Sequence, residues 1–142
     1  MFKPAEKKQD FEFIADLYNR NNRYLIHESI RAEDILQSRK KHKKNRIDYI
    51  IGQSYGWLCF IKLNDRLRFI LVIDKPYQGK GYGKKAMRFI EKECKRLECK
   101  EIECDVFQNN KKAIGLYKQF GYDEVVRVVS MKKSMSNNET RK

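Results

Sequence analysis

A glycine-rich hexapeptide, Gln78–Gly83, separates a strand-like run from an amphipathic segment and constrains the fold more than any other feature. Its three glycines stand at alternate positions and have no Cβ, so the backbone can turn sharply and approach another group closely. A loop of this kind at a helix N-terminus presents free N–H groups and the positive end of the helix dipole, which bind anions. Lysines add positive charge at the same place: Lys80, Lys84 and Lys85. The hexapeptide therefore predicts a phosphate or pyrophosphate ligand.

Apolar periodicity places this loop within a succession of helices and strands. Helices are predicted over residues 10–19 and 29–44, and an antiparallel meander over residues 47–51, 57–63 and 66–73. The helix after the loop has an apolar stripe at Met87, Ile90, Cys94 and Leu97. A strand over 101–106, a helix from Asn110 to Gly121 and a strand over 125–131 complete the order.

The strand–helix–strand units require crossovers, so the sheet has parallel or mixed character. The fold class predicted is α/β (α+β): a three-layer domain with a mixed central sheet flanked by helices. The run Phe69–Ile73 does not alternate, so we expect it to be buried on both faces as a central strand. The polar stretch 134–142 is expected to be frayed.

Composition limits the possible classes of protein. A chain of 142 residues suits one domain, 1–142, and its net charge of +13 suits a polyanionic ligand. No apolar run reaches about 18 residues, and the first ten residues lack a leader's apolar stretch, so we expect a cytoplasmic protein with no membrane contact. The spacing of Cys59, Cys94, Cys99 and Cys104 favours reduced, mostly buried thiols and no metal site.

Two motifs are more informative together than alone because of their spacing in the chain. The first is Gln78-x-x-Gly81-x-Gly83, and the second is Asn110-x-x-Ala113-x-x-x-Tyr117-x-x-Phe120-Gly121-Tyr122. Together they resemble the GNAT superfamily of N-acetyltransferases over residues 47–132. The stretch 73–83 is especially similar to small bacterial members that acetylate polyamines or other small amines.

The resemblance implies that acetyl-CoA is the cosubstrate. Backbone amides of the loop would hold the pyrophosphate: Gln78, Gly79, Lys80, Gly81, Tyr82, Gly83 and Lys84. The pantetheine arm would lie along the main chain of Leu71, Val72 and Ile73, with the Ile73 amide polarising the acetyl carbonyl. Asn110 would bind the pantetheine amides or act only as a helix cap, and a small Ala113 would let the cofactor pass.

The resemblance also suggests catalytic groups. Tyr117 would donate a proton to the departing CoA thiolate. No acid stands on the strand before the loop, where many relatives carry a glutamate, so Asp105 is the candidate general base, with Asp74 weaker. A strand-end, solvent-facing aspartate is the alternative for Asp105. An acceptor pocket formed by His27 with Tyr24 and Glu28 is a further possibility.

The function predicted is acetyl transfer to a primary amine, by direct attack in a ternary complex. The acceptor is a small molecule or a peptide, and the protein is a monomer or a homodimer. Two alternatives stay open: a basic nucleic-acid-binding module, favoured by the charge and the basic run 39–44, and a non-catalytic acyl-CoA-binding protein. The first lacks any recognition motif.

Overall fold

The computed structural model describes residues 1–22 and 29–136. The helices are α1 (Lys8–Arg20), α2 (Ala32–His42), α3 (Tyr82–Arg96) and α4 (Lys111–Gln119). The strands are β1 (Phe2–Pro4), β2 (Arg46–Ile51), β3 (Gly56–Leu63), β4 (Arg66–Ile73) and β5 (Glu101–Glu103). Short 3-10 helices cover Lys43–Asn45 and Lys75–Tyr77. Each predicted helix is present.

Within the described ranges, the five strands form one sheet in the order β1-β2-β3-β4-β5. Neighbours from β1 to β4 pair antiparallel, whereas β4 and β5 pair parallel. The parallel pair requires a crossover, which α3 supplies. The mixed sheet and its meander are thus confirmed. Strand β1 was not predicted, because three residues ending in Pro4 carry no alternating pattern.

Successive side chains of a strand face opposite sides of the sheet, and each side here has its own core. On one side the core combines residues of α1 and α2 with residues of β3: Phe11, Ile14, Leu17, Ile35, Trp57 and Cys59. On the other side it combines residues of β3 and β4 with residues of α3: Leu58, Phe60, Leu67, Phe69, Met87 and Ile90. Helices on both faces give the three layers that the order of elements predicted.

The apolar stripe of α3 packs as its spacing predicts. Met87 and Ile90 are fully buried, Cys94 is buried, and Leu97 packs against the same core at the end of the helix. Burial of each large side chain stabilises the fold by roughly 1.5–3 kcal/mol. This packing fixes the N-terminus of α3, and with it the glycine loop, at the end of β4.

A buried carboxylate, Asp48 on β2, ties α2 to the sheet. It accepts hydrogen bonds from Arg46 Nε (3.1 Å) and Nη2 (3.0 Å), Arg39 Nη1 (2.8 Å) and Trp57 Nε1 (2.9 Å). Burial alone would raise the pKa of Asp48, but the hydrogen bonds and positive charge of Arg46, helped by Arg39 and Trp57, hold it below its ordinary value. Arg39 opens the basic run, whose four lysines are exposed.

The expectation that 69–73 is buried on both faces is wrong for Ile70, which is 37% exposed. The reason lies in the neighbouring strand. Strands β4 and β5 pair over three positions, ending at Arg68 and Glu103, so β5 is shorter than the predicted 101–106. Beyond Arg68, no strand of the described residues pairs with β4 on the β5 side, and Ile70 lines the resulting cleft.

The predicted last strand over 125–131 is also wrong, because the segment lies outside helix and strand. Its composition is typical of strands, but a strand also needs a hydrogen-bonding edge beside it. The described sheet supplies no such partner to this segment. The sequence shows that the segment favours a strand, but it does not show whether a sheet edge lies beside it.

Replacing Asp48 with Asn should destabilise the protein by about 3 kcal/mol, because Arg46 would remain buried beside a neutral amide. Urea unfolding at pH 7 with circular dichroism measures this change. The pKa of Asp48 is lower when folded, so its contribution is complete above the unfolded value near 3.8 and disappears as the pH falls through the folded pKa. The difference between wild type and variant should therefore narrow only in acid; a constant difference down to pH 2 would contradict this assignment.

Candidate active site

The divergence of β4 from β5 opens a cleft beside the middle of β4. The cleft has a volume of about 230 Å³. One wall is β4, from Arg68 to Leu71, and the other consists of Cys104–Val106 and the start of α4. Its lining is largely apolar, with charged groups limited to Arg68 and Asp105.

The glycine loop lies where β4 passes into α3, and its three glycines have separate physical reasons. Gly79 (φ 76°) and Gly81 (φ 88°) adopt the left-handed conformation, which side chains disfavour. Gly83 is sterically confined, because a Cβ there would lie 3.1 Å from Leu116 Cδ2 of α4. The loop therefore combines two backbone requirements with one close helix–helix contact.

The backbone amides of the glycine loop differ in whether they already have a hydrogen-bond acceptor. The Gln78 N–H donates to the Lys75 carbonyl (3.2 Å), and the Gln78 side chain donates to the Ile73 carbonyl (2.9 Å). Gly81 is the N-cap of α3, so the amides of Tyr82, Gly83 and Lys84 occupy its first turn, where no helical acceptor exists. Free first-turn amides and the positive end of a helix dipole are the groups that bind anions at helix N-termini.

Aromatic rings brace the loop from the side of the β2–β3 turn. The ring of Tyr55 lies 4.4 Å from that of Tyr77 and 4.9 Å from that of Tyr82, between centroids. Lys80 and Lys85 place their ammonium groups 5.8 Å and 5.6 Å from the rings of Tyr77 and Tyr82. The loop therefore carries exposed positive charge over a packed aromatic support.

Strand β4 brings the predicted main-chain residues to the same place. The side chain of Leu71 lines the cleft, whereas that of Val72 is buried in the core of α1 and α2. The Ile73–Asp74 peptide is held at both ends, because Asp74 N donates to the Tyr55 carbonyl (2.9 Å) while Ile73 O accepts from Gln78. The main chain at the end of β4 is thus firmly positioned.

The second motif forms the opposite wall. Asn110 Oδ1 accepts from Ala113 N (3.3 Å), which makes Asn110 the N-cap of α4 as its cap alternative predicted. Asn110, Ala113 and Tyr117 all line the cleft. The ring of Tyr117 packs edge-on against Phe69, 5.5 Å between centroids, and burial raises the pKa of its hydroxyl well above the ordinary value. This phenol keeps its proton at neutral pH.

Asp105 reaches the cleft, but it is engaged. Its Oδ2 accepts from Arg68 Nη2 at 2.6 Å, and its side chain is 66% exposed. Arg68 also donates to Glu103 Oε1 (2.9 Å), so this guanidinium bridges the two diverging strands. Cys104 lies beside them, and burial, followed by the charge of Asp105, raises the pKa of its thiol to about 12. An acetylated-cysteine intermediate is therefore disfavoured.

Asp74 is not free to act as a base. Its carboxylate accepts from Arg20 Nε (3.2 Å) and Nη2 (3.0 Å), from Asn21 Nδ2 (2.9 Å) and from Lys75 N (3.1 Å). The bonds from Arg20 chiefly lower the pKa of Asp74. The carboxylate joins the end of α1 to the beginning of the loop region.

Sequence reasoning missed Arg68. The signal was present, because Arg66 and Arg68 on one strand match Glu103 and Asp105 on the other at a spacing of two. The suggested acceptor pocket of Tyr24, His27 and Glu28 lies outside the described residues.

Comparison with known proteins identifies the architecture. The profile described as the "Acetyltransferase (GNAT) family" matches residues 11–122. The chain belongs to this family. Its loop and its α4 motif thus occur in the family fold that they resemble. No helix in the described part of the chain has the length and apolarity needed to cross a bilayer.

Similar GNAT proteins include one named "Probable spermine N(1)-acetyltransferase" from Bacillus subtilis subsp. natto. It is 47% identical over 56 residues, which cover 35% of this chain and 34% of that protein. A second, "Uncharacterized N-acetyltransferase YycN" from Bacillus subtilis, is 34% identical over 58 residues, 41% of this chain and 37% of that protein. The matched segments thus span only about a third of each relative.

Solved structures share the fold at lower identity. The spermidine N-acetyltransferase of Vibrio cholerae, in complex with CoA and spermine, superposes with a TM-score of 0.76 at 21% identity, covering 91% of this chain and 83% of that one. An aminoglycoside 6'-N-acetyltransferase of Acinetobacter haemolyticus gives 0.68 at 16% identity, covering 96% and 99%. At these identities the likeness establishes the fold alone.

Replacing Gly81 with Asp should weaken CoA binding at least tenfold relative to Gly81→Asn, on the order of 1.4 kcal/mol. Asn and Asp have similar size, and both tolerate the left-handed conformation, so the comparison isolates the negative charge at the diphosphate position. Calorimetric titration with CoA measures both affinities. Equal dissociation constants for the two variants would show that the loop does not hold the diphosphate.

Proposed function

We propose that this GNAT protein transfers an acetyl group from acetyl-CoA to a primary amine, which attacks the thioester directly in a ternary complex. The observation behind this proposal is that the N-terminus of α3 approaches α4 closely, at Gly83 and Leu116, and that Tyr117 of the same α4 lines the cleft. A carrier held by its diphosphate at the loop would extend its acyl end along β4. Both ends of acetyl-CoA then have a matching surface.

The loop suits the diphosphate because it offers amides, a helix dipole and lysine charge together. We assign binding of the diphosphate to residues 78–84, with the first-turn amides of Tyr82, Gly83 and Lys84 at the centre. The Gln78 amide already has an acceptor, so its contribution is the side-chain bond that fixes Ile73. Positive φ at Gly79 and Gly81 shapes the approach.

The cleft suits the pantetheine arm and the thioester. An amide-bearing chain can pair with the main chain of residues 71–73, where β4 has lost its strand neighbour. The Ile73 amide is then our candidate to stabilise the developing oxyanion, since a fixed dipole costs little reorganisation during reaction. Asn110 and Ala113 give a polar contact and a small surface on the opposite wall.

Tyr117 is our general acid. The departing CoA thiolate must gain a proton, and a phenol whose pKa is raised by burial still carries one at neutral pH. After transfer, solvent or the product ammonium restores the hydroxyl proton. Tyr117 lines the cleft along which the thioester would lie in this proposal.

The attacking amine must lose a proton. We assign this to Asp105, acting directly or through a water molecule. The bond to Arg68 occupies one oxygen of the carboxylate, so the water-mediated route suits it better. The rest of its exposed side chain allows a water or an ammonium group to reach it.

The acceptor class is a small primary amine. Polyamines are the first compounds to test, because the names of two similar proteins include spermine or spermidine. The experiment is a screen of amines for release of the CoA thiol, followed by mass spectrometry of the product. Binding of acetyl-CoA with no thiol release for polyamines, amino acids, aminoglycosides or peptides would instead indicate a non-catalytic acyl-CoA-binding protein.

Replacing Tyr117 with Phe should lower kcat by about 100-fold and change the dissociation constant of CoA by no more than about twofold. The ring packing on Phe69 would persist, and only the proton donor would be lost. Tyr122→Phe is the matched control, because the Tyr122 hydroxyl is buried without a partner among the described residues, and its ring packs against Tyr117 without lining the cleft. Steady-state kinetics with the best amine and calorimetry provide the readouts; unchanged turnover in Tyr117→Phe would remove the assigned role.

A further inference from the structure

Helix α3 ends in a hydrogen-bonded turn that has a cysteine at each end. Glu98 adopts the left-handed conformation (φ 57°), the Cys99 N–H donates to the Cys94 carbonyl (2.9 Å), and the Glu98 N–H donates to the Lys95 carbonyl (3.1 Å). This pair of bonds defines a Schellman motif, in which the residues joined by the longer-range bond commonly pack together. Here both of those residues are cysteines, and the proposed reaction uses neither.

The backbone bond holds the two cysteines within disulfide range. Standard bond lengths and the 2.9 Å N–O distance keep the Cα atoms of Cys94 and Cys99 within about 6.8 Å of each other. Disulfides join Cα atoms that are roughly 4.4–6.8 Å apart. The Cys94 thiol lies on the side of its partner, because Cys94 Sγ donates to the Cys99 carbonyl at 3.2 Å. Both side chains also pack against the core on the α3 side of the sheet.

The two thiols differ in their access to solvent. Cys94 is 7% exposed, whereas Cys99 is half-buried. Burial, followed by the effect of the neighbouring Cys99, raises the pKa of the Cys94 thiol, so that group keeps its proton at neutral pH. A small oxidant therefore reaches Cys99 first, and Cys94 is the adjacent thiol that resolves the oxidised product.

We propose that Cys94 and Cys99 are a modification site at which hydrogen peroxide forms an intramolecular disulfide. The Cys99 sulfur attacks one peroxide oxygen and becomes a sulfenic acid, while the other oxygen leaves as water with the thiol proton. The Cys94 sulfur then attacks the Cys99 sulfur, the S–S bond forms, and the sulfenic oxygen leaves as water with the second thiol proton. Two thiols are thus oxidised by two electrons, and one peroxide is reduced to two waters.

The disulfide would fix the connection between α3 and β5. Strand β5 begins two residues after Cys99, and the N–H groups of Lys100 and Glu101 donate to the Asp65 carbonyl (2.6 Å and 3.4 Å). The chain then continues from β5 into residues 104–106, which form a wall of the cleft. Oxidation would therefore anchor the beginning of the strand whose continuation lines the candidate site. The proposal does not depend on the acetyl-transfer assignment.

Peptide mapping of the full chain tests the pairing. Protein that is reduced with dithiothreitol, freed of reductant and treated with hydrogen peroxide should lose two of its four thiols, and dithiothreitol should restore them. Trypsin cleaves between the two cysteines, so mass spectrometry without reduction should detect peptide 93–95 joined to peptide 97–100. Four unreacted thiols, a loss that dithiothreitol does not reverse, a cross-link through Cys59 or Cys104, or a cross-link between two chains would each overturn the proposal.

The melting temperature provides a second readout. Oxidised wild type should melt roughly 5 °C above the reduced protein, because the closed loop restricts the unfolded chain. Cys99→Ser should keep all its thiols in peroxide and show no shift. Cys104→Ser is the matched control, and it should form the cross-link and shift as the wild type does. Oxidation that lowers the melting temperature of the wild type would show that the folded turn does not accept the bond; the peptide map of the unmodified protein stands even if a variant does not fold.

Discussion

The candidate site depends on the point at which two parallel strands stop pairing. Strands β4 and β5 are hydrogen-bonded only as far as Arg68 and Glu103, and the cleft exists because they diverge beyond it. Arg68 spans the divergence by binding carboxylates on the far side, which offsets part of the lost pairing. Cores on both faces of the sheet hold β4 in place, so the opening is a fixed property of the fold. Loop, strand main chain and α4 are arranged around that opening.

Local signals were sufficient for much of this arrangement. The alternate glycines predicted a helix N-terminus at the end of a strand, and Gly81 caps α3 there. Asn110 predicted the start of α4 through its capping side chain, and the stripe of Met87 and Ile90 predicted which face of α3 is buried. Each of these features is determined by residues close together in the chain, so the local sequence is enough to predict it.

Features that depend on distant partners were not predictable in the same way. Strand β1 exists because β2 offers an edge to three unremarkable residues. Ile70 is exposed because β5 ends early, and the apolar run that contains it gives no sign of this. Residues 125–131 have the composition of a strand, but they pair with no strand of the described sheet. The engagement of Asp105 by Arg68 depends on strand register, so the matched spacing of the two strands indicates it only once they are known to be neighbours.

The carboxylate of Asp74 has a mechanical consequence. The carboxylate holds Arg20 and Asn21 at the end of α1, and the backbone N–H of the same residue donates to the Tyr55 carbonyl beside the end of β4. The helix end and the strand end therefore share one anchor, and neither can shift far without stretching bonds to the other. A displacement of Arg20 or Asn21 would therefore also displace the main chain at the end of β4. Through Asp74, movement of α1 is therefore coupled to movement of the end of β4.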